Sequence, residues 1–118
     1  MNKSDELQRV IDHYHDLLRQ APNDLGLIIN LGWSYERAGQ FPEAIQQFRR
    51  AIEFNSRDYN AHYGLGLACM GNGQIQEART EFQQARDLAG DSDDRSAIVV
   101  LSKQIDSISH RLGRSQAS

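Results

Sequence analysis

No disulfide can form within this chain, because its 118 residues include a single cysteine, Cys69. Such cysteine usage suits a reducing compartment. Proline is nearly as scarce. Only Pro22 and Pro42 interrupt the sequence, which favours long helices over many short strands. No apolar run approaches the roughly 20 residues that cross a bilayer, so membrane insertion is not expected. The opening residues, Met1 to Glu6, lead into mixed polar sequence with no apolar stretch behind them, and the cytoplasm is the expected location. Basic residues are in deficit, 13 against 16 acidic, for a net charge of -3. That balance disfavours nucleic acid as a partner. The densest basic spot, Arg49, Arg50 and Arg57, is expected to be a solvated helix face.

Catalytic and metal-binding patterns are also missing. His13 and His15 are two residues apart on a helix and point about 200° away from each other, so they cannot share a metal. His62 takes a packing position, and His110 stands alone. Cys69 has no base beside it and is expected to be a small buried hydrophobe. The run Asp91-Ser92-Asp93-Asp94 lacks the glycine and distant glutamate of a calcium loop, and a helix cap explains it better. Gly64-x-Gly66 falls within a helix, and Gly71-Asn72-Gly73 within a turn, so neither cradles a phosphate. No enzymatic activity, cofactor or metal is expected.

What the chain does have is a repeat. Hydrophobic residues make up 39% and charged residues 25%, as in an ordinary folded domain. Shifting the sequence by 34 residues aligns 25–58 with 59–92. Eight positions are then identical: Leu31/Leu65, Gly32/Gly66, Gly39/Gly73, Gln40/Gln74, Glu43/Glu77, Ala44/Ala78, Phe48/Phe82 and Ala51/Ala85. Chance at average residue usage gives about two. The small residues Gly32, Ala44, Gly66 and Ala78 would let paired helices pack close together. Gly39 and Gly73 sit where the first helix of each pair should end.

Leu31-Gly32-x2-Tyr35, Ala44-x3-Phe48 and Ala51, echoed by Leu65-Gly66, Ala78-x3-Phe82 and Ala85, resemble the tetratricopeptide repeat, whose period is 34. The usual tryptophan slot holds Ile28 and His62, Cys69 replaces the tyrosine, and Ser56 and Gly90 stand where proline is usual. Stepping back 34 residues lands on Val10, Tyr14, Leu17 and Pro22, which makes 4–20 a lone second helix. Stepping forward places Val99, Lys103 and Asp106 in core positions, which they cannot all occupy. Ile98, Leu101, Ile105, Ile108 and Leu112 nevertheless mark an amphipathic helix, expected to cap the stack.

The predicted fold is all-α: a right-handed solenoid of antiparallel helix pairs with helices near 4–20, 25–38, 42–55, 59–72, 76–89 and 94–112. It forms a single domain over 1–112, with a half repeat at 4–24, repeats at 25–58 and 59–92, a capping helix at 94–112 and a flexible tail at 113–118.

The first helix of each pair carries a second apolar face. Ile29 and Trp33 lie about 160° around the helix from the face of Leu27, Ile28 and Leu31. Tyr63, Leu67 and Met70 hold the matching angles on the next repeat. The resemblance implies that this face lines a concave groove for a partner, with Ile29, Trp33, Tyr63, Leu67 and Met70 at its centre and Arg37 and Asn60 beside it. The basic clamp by which some family members bind acidic chaperone tails has no counterpart here. The expected partner is another protein, offering an apolar or amphipathic segment to an adaptor or co-chaperone-like module. The rival reading is self-association, as a structural protein or a homodimer resembling a secretion chaperone, through the same apolar surface.

Overall fold

The computed structural model describes residues 2–117, and six helices account for nearly all of them: α1 (Lys3–Gln20), α2 (Leu25–Arg37), α3 (Phe41–Phe54), α4 (Tyr59–Gly71), α5 (Ile75–Asp91) and α6 (Arg95–Ala117). There is no strand among the described residues. Consecutive helices pack in chain order, and α2 also meets α4 directly.

The helix boundaries follow from local chemistry. Asp24, Asp58 and Asp94 precede α2, α4 and α6, and each carboxylate accepts from an amide of the first turn, at 3.1 Å from Leu27, 2.9 Å from Asn60 and 3.1 Å from Ala97. Those amides have no partner within the helix, and a carboxylate there also complements the helix dipole. Helix α3 begins with Pro42 in its first turn, where the missing N–H costs nothing. The ends of α2 and α4 are turned by Gly39 at φ 74 and Gly73 at φ 82. This left-handed backbone lets Gln40 and Gln74 donate back to the Tyr35 and Cys69 carbonyls at 2.9 and 2.8 Å.

Packing turns on two phenylalanines. Phe48 and Phe82 are wholly buried, each worth about 1.5–3 kcal/mol by transfer from water. They fit because the helices around them carry no side chain at the contact. A Cβ on Gly32 would stand 3.0 Å from the Phe48 ring, and one on Gly66 would stand 2.5 Å from Phe82 Cε1. Ala44, Ala51, Ala78 and Ala85 are likewise fully buried.

Helix α6 corrects one expectation. Its buried residues Leu101, Ile105 and Ile108 follow Leu65, Cys69 and Asn72 by 36 residues rather than 34. The cause lies in α5, which has 17 residues where α3 has 14, while the following turn is one residue shorter. With that offset, α6 shows the core face of a leading helix and packs on α5. It also runs on to Ala117 instead of stopping at 112, so 113–117 continue the helix rather than forming a tail. Ser118 lies outside the described residues.

At the other end, α1 buries Ile11 and Leu18 against α2, half-buries Tyr14 and Leu17, and leaves Val10 42% exposed. The basic spot turns out to be engaged between repeats. Arg49 pairs with Glu77 at 2.5 Å, Arg57 with Asp91 at 3.2 Å, and Arg50 donates to the Pro22 carbonyl. These contacts are solvent-accessible, so each adds about 0–1 kcal/mol.

Candidate functional site

The second apolar faces of α2 and α4 lie on neighbouring helices that meet directly. Ile29, Trp33, Tyr63, Leu67 and Met70 are all half-buried and packed on the core beneath them. Trp33 and Tyr63, from neighbouring leading helices, lie with ring centroids 6.0 Å apart. Below them, Trp33 meets Phe48 edge-on at 5.1 Å and Tyr63 meets Phe82 at 5.8 Å. Such aromatic pairs add about 0.5–1.5 kcal/mol beyond burial. The surface is therefore only partly open, with its rings packed on the core by their inner edges.

Asn60 and Arg37 are exposed at opposite ends and do not come together. Asn60 and Tyr63 share a cleft of about 290 Å³ with α6, lined also by Tyr59, Asp94, Ala97 and Val100. Arg37 instead lines a hollow with Lys3 and Leu7 of α1. Val99, which the 34-residue step put in a core position, and its neighbour Val100 are instead 53% and 47% exposed. At the 36-residue offset Val100 stands where α4 has Gly64. Gly64 is buried against the Phe48 ring, whereas Val100 lines the cleft between α4 and α6. That offset puts Val99, Lys103 and Asp106 in the places of Tyr63, Leu67 and Met70, so the apolar face ends at α4, beside that cleft.

The cleft has one polar end. The Tyr59 hydroxyl donates to Asp94 Oδ2 at 2.5 Å while the Ala97 amide donates to Oδ1. The Tyr59 hydroxyl and the Ala97 amide hold the Asp94 carboxyl below the usual range, and the same hydrogen bond holds the phenol above its own. Asp94 is thus a carboxylate at neutral pH, and the cleft combines an apolar wall with a negative rim.

No three of His, Cys, Asp and Glu gather as metal ligands among the described residues, and no described helix is long and apolar enough to cross a membrane. His15 Nε2 bonds the Tyr35 hydroxyl at 2.7 Å, and His62 is held between two acceptors. Cys69 is fully buried, and burial pushes its thiol up to about 12.

The tetratricopeptide repeat model matches residues 29–93, more than half of the sequence. This chain belongs to the tetratricopeptide repeat family. Among its relatives, cellulose synthase operon protein C of Komagataeibacter xylinus is 36% identical over 64 residues, covering 54% of this chain and 5% of that much longer protein. Two solved tetratricopeptide folds superpose closely. The Sgt2 TPR domain from Aspergillus fumigatus gives a TM-score of 0.85 at 18% identity, covering 97% of this chain and 73% of that one. The Yersinia enterocolitica type III secretion chaperone SycD, in complex with a peptide of the translocator YopD, gives 0.82 at 15% identity, covering 92% and 84%. At these identities the likeness is one of fold. The tetratricopeptide assignment accounts for the six helices as two full repeats, a preceding half repeat and a closing helix.

Proposed function

We propose that this tetratricopeptide chain is a non-catalytic protein-interaction module whose concave face holds an apolar or amphipathic segment of a partner protein. One observation carries the reading: leading helices α2 and α4 turn Ile29, Trp33, Tyr63, Leu67 and Met70 outward as one half-buried surface, which ends at the cleft beside Val100. Contiguous apolar surface with aromatic anchors marks interaction sites. Arg37 and Asn60 flank it at opposite ends. The SycD complex supports the reading, since a related stack of helices holds a peptide.

The side chains favour an apolar ligand over an acidic one. A groove that captured an acidic tail would present cations, whereas this one presents rings, aliphatic side chains and the Asp94 carboxylate. We infer that the binding unit runs from the half repeat at 4–24 through repeats 25–58 and 59–92 to α6. An unpaired, buried Cys69 suits a reducing compartment such as the cytoplasm.

Selection from a displayed random-peptide library tests this. The wild-type domain should enrich apolar segments, and Met70→Glu and Val100→Glu should each lower binding of the enriched peptide at least about tenfold, a change of 1.4 kcal/mol. Trp33→Ala is less suitable because its ring also packs on Phe48. Enrichment of acidic peptides would overturn the reading. No enrichment, with a concentration-dependent dimer in light scattering, would replace it with self-association.

A further inference from the structure

Buried polar side chains are rare in this stack, and among the described residues they are Ser34 and His62. Ser34 donates to the Asn30 carbonyl of its own helix. His62, 7% exposed, reaches outside its helix in two directions. Its Nδ1 lies 2.8 Å from Glu81 Oε2 of α5, and its Nε2 lies 2.9 Å from the Ser56 carbonyl oxygen in the turn between α3 and α4.

A backbone carbonyl only accepts, and so does a carboxylate. A neutral imidazole has one N–H and one lone pair, so it would set a lone pair against one of the two acceptors. We propose that His62 and Glu81 together hold one proton more than a neutral imidazole beside a carboxylate, and that this proton latches the second repeat by letting both ring nitrogens be satisfied. With it, α4 is tied at once to α5 and to the turn that introduces α4. When it leaves to solvent as pH rises, one tie is lost. Whether the proton sits on the ring or is shared with the carboxylate, the count is the same.

The surroundings favour the bound proton. The hydrogen bond to Glu81 holds the imidazole above the ordinary histidine range. Burial opposes it, but the Ser56 carbonyl and the negative charges of Glu81 and of Asp58 at the head of α4 add to the elevation. Arg57 of the same turn is engaged with Asp91.

The first repeat supplies an internal control. The positions 34 residues earlier hold Ile28, fully buried, and Gln47, whose Oε1 is buried with no hydrogen-bond donor reaching it. Nothing there titrates, yet the repeat packs in the same way. The latch is thus a property of the second repeat alone, and the pair Ile/Gln is compatible with the architecture.

Folding raises the affinity of His62 for its proton. Its stabilisation is therefore fully present below the unfolded pKa of about 6.5 and is lost as pH rises through the higher folded value. Urea unfolding of the whole chain should be followed from about pH 6 to about pH 9, beside the double variant His62→Ile, Glu81→Gln. Relative to that variant, the wild type should lose stability with rising pH, by about tenfold in the unfolding constant for each pKa unit of elevation. Imidazole ¹⁵N shifts of the wild type at about pH 6 should show both ring nitrogens protonated or the proton shared with Glu81. Parallel pH profiles for the two proteins would overturn the latch. So would a neutral imidazole spectrum at about pH 6, and this second readout stands even if the variant fails to fold.

Discussion

Gly64 on α4 and the Phe48 ring on α3 claim the same space: a Cβ built on Gly64 overlaps Phe48 Cε1 and Cζ. The glycine is there for the ring. By intrinsic propensity Gly→Ala inside a helix should stabilise by about 0.8–1 kcal/mol. Here overpacking wins, because Phe48 is wholly buried among neighbours that cannot shift freely.

Gly64→Ala should therefore destabilise the fold by about 1–3 kcal/mol in urea denaturation. Gly90 near the end of α5 has nothing within 4 Å of an added Cβ, and Gly90→Ala should stabilise by about 0.5–1 kcal/mol. Equal effects from the two substitutions would show that the Phe48 contact does not set the spacing of α3 and α4.

The second expectation concerns Cys69. It is fully buried, with its thiol pushed up to about 12, so the reactive thiolate is nearly absent at neutral pH. An aromatic disulfide reagent should leave the native protein unmodified and label one thiol after unfolding in urea. Rapid labelling of the native chain would mean that α4 and α5 open locally far more often than their packing implies.

The helices were legible because the repeat writes the same small residues and the same phenylalanine at a fixed step. Phe48 and Phe82 announced the core, and Gly39 and Gly73 announced the turns. The register of α6 was not legible at that step, because extending α5 displaces every later position by two without changing the amphipathic pattern. Ile98 and Leu101 therefore revealed a helix but not its kinship with α4, and Val100 was missed as a lining residue.

The candidate face was legible as a direction around α2 and α4, but its depth was not. A helical wheel places Trp33 opposite Leu31, yet only packing shows that Phe48 holds one edge of the indole. The resemblance placed Arg37 beside the groove, whereas in three dimensions it lines a hollow with α1. His62 was read as a packing residue, which its burial bears out. Its partner Glu81 lies 19 residues away and leaves no local pattern. The available signal was that Ile28 and Gln47 both change between repeats, to His62 and Glu81.

The most direct test of the central claim is the amide and indole NMR spectrum of the domain titrated with an enriched apolar peptide. The account predicts shifts at the Trp33 indole N–H and at Tyr63, Leu67, Ala97 and Val100, with Gln46, Arg49 and Gln83 on the outer helices unmoved. Shifts confined to α3 and α5, with the Trp33 and Leu67 signals unchanged at saturation, would contradict it.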